Sequence, residues 1–138
     1  MEKIKLTATD DTPAIIFDGE KGVFEISGIS VPEDVRAFYQ IFLERFELYM
    51  VTPHATTYFT FKLRFFDTPS TKIIFDIFTM LAKLYQNGNT LKIFWYYTDE
   101  EIKKAGEKFA QLAEIPCDIV KYLPFTNKGH LYDKAVAK

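Results

Sequence analysis

Two hydrophobic rhythms run along this chain, one of period two and one of three to four, and the switches between them mark out its elements. Ala14-Ile15-Ile16-Phe17 and Val23-Phe24-Glu25-Ile26-Ser27 are short strand-like runs. Asp18-Gly19-Glu20-Lys21-Gly22 between them is turn chemistry, so the two are expected to form a hairpin with a longer loop. Gly28 to Asp34 then breaks the strand and opens a helix. Ser30 is the expected N-cap, with Pro32 in the first turn and Glu33 and Asp34 near the positive end. From Val35 to about Tyr49, the residues Val35, Phe38, Tyr39, Phe42, Phe46 and Tyr49 recur at threes and fours, which predicts one buried helical face.

Pro53 ends that helix. Thr56 to Phe66 reads as a strand with Phe59, Phe61, Leu63 and Phe65 on one face. A second helix is predicted from about Pro69 to Gln86, with Thr68 as its cap. Asn87-Gly88-Asn89 is its stop signal, because Gly88 or Asn87 can enter the left-handed region. Leu91, Ile93 and Trp95 alternate with Lys92, Phe94 and Tyr96 in a largely apolar strand. Thr98 with Glu101 three residues on matches a capping box for a third helix to about Leu112, with Ile102, Ala105, Phe109 and Leu112 inward. Pro116 ends it. Asp118 to Leu123 fits a last short strand, and residues 124–138 read as a flexible polar C-terminal tail. The expectation is a single α/β domain over residues 1–123: an N-terminal hairpin, then alternating helices and strands in a mixed sheet covered by helices.

Composition narrows the function classes. Of 138 residues, 48% are hydrophobic and 17% aromatic, which excludes a disordered chain. The net charge is −2 and no block of Lys or Arg occurs, which disfavours nucleic acid and anionic membranes as partners. No apolar run reaches the roughly 20 residues of a membrane span, and Met1 to Lys5 lacks a signal-peptide core. Cys117 is the only cysteine, so no intrachain disulfide forms, and a reducing cytoplasm fits.

Catalytic chemistry has little to stand on. His54 and His130 lie far apart with no Cys or carboxylate spaced to complete a metal site, and no cofactor motif is present. Cys117 reads as a small buried residue. Asp67-Thr68-Pro69-Ser70-Thr71-Lys72 is more informative, because it joins a strand to a helix. Thr68 there has two readings. As an N-cap it stabilises the helix by about 1 kcal/mol and needs no other role. As a phosphoacceptor it would gain about −1.5 to −2 charges beside free backbone N–H groups, opposed in part by Asp67 and helped by Lys72.

The residues also carry a family resemblance. Thr12-Pro13-Ala14-Ile15, Gly28 to Asp34 and Phe38-Tyr39 occur in order with Phe65-Phe66-Asp67-Thr68-Pro69-Ser70-Thr71-Lys72, Ile93-Phe94-Trp95-Tyr96-Tyr97 and Ala105-Gly106-Glu107. This order resembles the SiaC family of bacterial regulatory phosphoproteins over about residues 12–122. The resemblance implies a STAS-like, anti-sigma-factor-antagonist-like domain without enzymatic activity. It implies partner switching: an anti-sigma-factor-type kinase phosphorylates a hydroxyl residue before the central helix, and a PPM-type phosphatase resets it. The unphosphorylated form would bind an effector such as a diguanylate cyclase, in cyclic-di-GMP signalling and biofilm formation. Family members usually carry Asn-Thr-Ser-Ser at the site. The threonine matches Thr68, Asp67 replaces Asn, and Pro69 replaces the first Ser, so Ser70 is the second candidate. Asp67, Pro69, Ser70, Thr71 and Lys72 would form the partner-binding surface. A constitutive interaction module, or a small-ligand pocket built from Phe94, Trp95, Tyr96 and Tyr97, are the alternatives.

Overall fold

The computed structural model describes residues 3–122. The tail expected at 124–138 lies outside the described residues. Six strands and three helices follow one another as β1 (Lys3–Leu6), β2 (Ala14–Asp18), β3 (Val23–Ser30), α1 (Val35–Val51), β4 (Thr56–Phe66), α2 (Thr68–Gln86), β5 (Thr90–Tyr97), α3 (Glu100–Ala113) and β6 (Asp118–Lys121). Their order in the sheet is their order in the chain. β1, β2 and β3 pair antiparallel, while β3, β4, β5 and β6 pair parallel. Each parallel step needs a crossover, and the three helices supply them. α1 packs on α2 and α2 on α3, so all three cover the same face of the sheet.

The covered face is aromatic. Phe17, Phe24, Phe59 and Ile93 lie in register across four strands, and Ile15, Ile26, Phe61 and Trp95 form the next row. Phe46 and Tyr49 of α1 meet Phe24 edge-on at 5.0 and 4.8 Å. Phe78 of α2 stacks on Phe61 at 5.0 Å, and Phe109 of α3 meets Trp95 at 5.6 Å. The opposite face carries Glu25, Thr60, Lys62, Lys92, Phe94 and Tyr96, and no described helix covers it.

Three sequence expectations shift here. β1 adds an edge strand whose Lys-Ile-Lys-Leu alternation is too short to stand out by itself. Phe65 does not share the inward face of β4, since it is 55% exposed. The pairing moves from Gly28–Leu63 to Ile29–Phe65, leaving Arg64 as an extra residue, and this bulge flips the alternation. Phe66 takes the inward place instead, against Trp95 and Phe109. On α3, Leu112 is 59% exposed, and the buried residues are Ile102, Gly106 and Phe109.

The helix caps are also one residue class away from expectation. Asp34, Asp67 and Asp99 cap α1, α2 and α3, each accepting from the backbone N–H three residues on, at 3.0 to 3.1 Å. Ser30, Thr68 and Thr98 are therefore not caps. The stop of α2 falls at Asn87, and Gly88 adopts the left-handed conformation with φ 97°. α3 closes on Glu114 in that same region, φ 58°, where a Cβ is unfavourable. Glu114→Gly is expected to raise stability by about 0.5–1 kcal/mol, read as a higher urea midpoint. An unchanged or lower midpoint contradicts it.

Candidate regulatory site

The end of β4 turns into α2 without a loop, and Asp67 makes that join. Its backbone N–H donates to the Ser30 carbonyl at 3.2 Å, which ties the turn to the end of β3. Its Oδ1 accepts from the Ser70 N–H at 3.0 Å, and its carbonyl accepts from Thr71 N–H and Oγ1 at 3.0 and 3.1 Å. Asp67 thus already fills the anion position of the helix start. Thr68 is the first helical residue and Pro69 the second, both exposed. Pro69 has no N–H to offer, so the free amides expected to receive an anion at Thr68 are largely spent or missing.

Ser70 is different in kind. It is fully buried, and its Oγ donates to the Ser30 carbonyl at 2.9 Å. A serine hydroxyl has one proton. With that proton committed, the 2.8 Å contact between the Ser70 and Ser30 hydroxyls requires Ser30 to donate. The 2.7 Å contact from Ser30 to Tyr39 then requires the phenol to donate. The hydroxyls form one directed chain, Tyr39 to Ser30 to Ser70 to carbonyl, that fastens α1, β3 and α2 together. This is why Ser30 is a buried strand residue and not a cap.

Burial pushes the Tyr39 phenol up from 10.0 to about 12, against the Ser30 hydrogen bond and with a smaller contribution from Asp67. The folded state therefore keeps a proton that the unfolded chain loses. The stability this contributes is full below about pH 10 and is lost as pH rises through about 12. Denaturation at about pH 9 and about pH 11 should show a drop that is smaller in Tyr39→Phe. Equal drops in both proteins would contradict this.

Beside the helix start lies a groove of about 520 Å³ between α2 and α3. Thr68, Thr71, Lys72 and Phe75 line it from α2, and Ala105, Lys108, Phe109 and Leu112 from α3, with Phe66 at its base. Its floor is apolar, and its charged lining residues are both lysines. Phe66 and Ala105 continue into a neighbouring groove lined by Arg64, Phe65, Ile102 and the acids Asp99, Glu100 and Glu101. Sequence reading placed Thr68, Thr71 and Lys72 here, but not Lys108 or Leu112. Leu112 was expected to face inward, so its outward position, 59% exposed, appears only in the fold.

The other chemical candidates disperse. Trp95 is fully buried, and its Nε1–H donates to the Ile102 carbonyl at 2.8 Å. Tyr97 is buried on the same side, whereas Phe94 and Tyr96 face the opposite side, so the four aromatics line no common pocket. Burial, with Asp118 nearby, pushes the Cys117 thiol up to about 12, far from a reactive thiolate. His54 is a loop residue, and His130 is outside the described residues. Among the described residues no group of three or more His, Cys, Asp or Glu is placed to hold a metal. None of their helices is long and apolar enough to cross a membrane.

The domain is thus a six-stranded mixed sheet with three helices on one face and a strand-to-helix turn beside an apolar groove. Comparison with known proteins gives it a family. Residues 6–122 match the SiaC family regulatory phosphoprotein description, and the chain belongs to that family. An uncharacterized protein of Pseudomonas aeruginosa strain UCBPP-PA14 is 24% identical over 118 residues, covering 84% of this chain and 94% of that one. The crystal structure of apo-SiaC from Pseudomonas aeruginosa superposes with a TM-score of 0.80 at 24% identity, covering 86% of this chain and 98% of that one. The structure of diguanylate cyclase SiaD in complex with its activator SiaC, from the same organism, matches with a TM-score of 0.81 at 23% identity, covering 86% of this chain and 99% of the matched chain.

Proposed function

We propose that this protein is a non-enzymatic, cytoplasmic binding switch whose state is set by reversible phosphorylation at Thr68. One observation carries the choice of residue. Thr68 presents an exposed hydroxyl on the lip of an apolar groove, while Ser70, two residues on, has its hydroxyl buried and its proton committed. A kinase can reach the first without disturbing the fold. Reaching the second requires α2 to detach from β3.

In this reading an anti-sigma-factor-type kinase adds the phosphate and a PPM-type phosphatase removes it. The unmodified form holds an effector, and a diguanylate cyclase is the class suggested by the SiaD–SiaC complex. The physical basis is local. A dianion is costly to desolvate, so a partner packed over the groove lip is expelled once Thr68 carries one. Asp67 strengthens this, because the modified side chain finds the helix start already occupied by a carboxylate.

Intact-mass spectrometry after incubation with the cognate kinase tests the assignment. One phosphate is expected on the wild type and on Ser70→Ala, and none on Thr68→Ala. Incorporation that survives Thr68→Ala but is lost in Ser70→Ala would move the site to the buried serine. No incorporation in any of the three would leave a constitutive binding module.

A further inference from the structure

A second groove crosses the helical layer, between α1 and α2, and its charge is opposite to that of the groove beside Thr68. We infer that it is a docking site for a basic amphipathic helix of a protein partner, open whether or not Thr68 is modified. The docking goes beyond the switch reading and does not depend on it.

The groove is built from one face of each helix. Arg36, Gln40, Leu43 and Glu47 recur at fours and threes along α1, and Asp76 and Met80 are one turn apart on α2. Together they bound about 480 Å³. Leu43 and Met80, half-buried against the core, form its floor. Arg36 and Glu47 stand about 16 Å apart along the axis, enough for about three turns of a partner helix. β3 and β4 are paired on both sides in the sheet, so no strand can be added beneath this groove. The element that fits between two packed helices is a third helix laid along them.

Charge decides which helix. Glu44, Glu47 and Asp76 set three carboxylates around the floor against the single guanidinium of Arg36. Glu44 accepts from Gln40 Nε2 at 3.0 Å. Among the described residues, the carboxylates of Glu47 and Asp76 have no hydrogen-bond or ion-pair partner. Asp76 is half-buried, where an unpaired carboxylate is poorly solvated. A lysine or arginine of a docked helix supplies that partner as its apolar ridge covers Leu43 and Met80. An acidic helix is repelled by the same three groups.

The two grooves therefore select different partners, one on each side of α2. Thr68 and Lys72 line the other groove and not this one. A phosphate on Thr68 leaves Glu44, Glu47 and Asp76 as they are. Combined with the switch reading, this makes the domain an adaptor that keeps one partner while it releases another.

Two synthetic helices test the docking, one with a leucine ridge flanked by lysines and one with the same ridge flanked by glutamates. Each is titrated into the isotopically labelled 138-residue protein. The lysine helix is expected to shift the amides of Leu43, Glu47, Asp76 and Met80, and the glutamate helix is not. Glu44→Lys/Glu47→Lys should weaken the lysine helix about tenfold. Thr79→Arg should do so too, since it puts a bulky cation into the groove from an exposed position whose hydroxyl bonds within its own helix, to the Phe75 carbonyl at 3.0 Å. The amide spectrum of each variant reports its fold in the same experiment. Equal binding of the two helices at these residues, shifts confined to other surfaces, or affinity indifferent to the substitutions overturns the inference. Protein carrying phosphothreonine at 68 should hold the lysine helix as tightly as unmodified protein, and loss of it there overturns the independence of this groove from Thr68. If the helix binds both forms but phosphorylation does not release the effector, the docking stands and the switch falls.

Discussion

Gly106→Ala is expected to destabilise the protein by about 2–3 kcal/mol, although alanine is the better helix former. On an exposed helix the same change gains about 1 kcal/mol. Here the added Cβ would stand 2.3 Å from Trp95 Cδ1 and 2.4 Å from its Nε1. The ring cannot step aside. Its N–H is bound to the Ile102 carbonyl, and Phe61, Phe66, Phe78 and Phe109 surround it. α3 must therefore lift off β5, which also displaces Phe109 and the α3 wall of the groove. A fall in urea midpoint of that size, with an unchanged m-value, is the predicted result. A neutral or stabilising substitution would show that α3 is not seated on Trp95 as described.

Charge at Thr68 carries the largest expected effect on binding. Thr68→Glu places a carboxylate at the groove lip next to Asp67, and should weaken effector affinity about a hundredfold, since a partner packed over it must desolvate an unpaired charge, a cost of several kcal/mol. Thr68→Ala should leave affinity near wild type, because Asp67, not Thr68, caps α2. The contrast between the two variants is informative for that reason. Were Thr68 the cap, alanine would also loosen the helix start, and the two effects would be mixed.

Much of the architecture was legible in the residues. The hairpin of β2 and β3 follows from its turn, β4 from its alternation, α2 from its apolar period and its Asn87-Gly88 stop. The misses share physical causes. Hydroxyl residues were preferred as caps at all three helices, yet an aspartate stands close by at each, and a carboxylate both accepts the N–H and meets the positive helix end. Phe65 was placed inward because Arg64, the extra residue of the bulge in β4, looks in the sequence like any other alternating strand position. Gly106 looks like a weak point in a helix until Trp95 is seen to need its space.

The site was only partly readable. Thr68, Thr71 and Lys72 are local to one motif and could be singled out together. Lys108 and Leu112 reach the same groove from another helix, and no spacing rule links them to Thr68. The burial of Ser70 depends on Ser30 and Tyr39, far back in the chain. Serine and threonine two residues apart look equivalent until the fold spends one of the hydroxyls.

The most direct measurement is a calorimetric titration of a diguanylate cyclase, the proposed effector class, into the 138-residue protein, unmodified and with phosphothreonine installed at position 68. Tight binding to the first and none measurable to the second is the predicted pair of isotherms. Matching affinities would mean that a dianion on the groove lip does not govern what this domain holds.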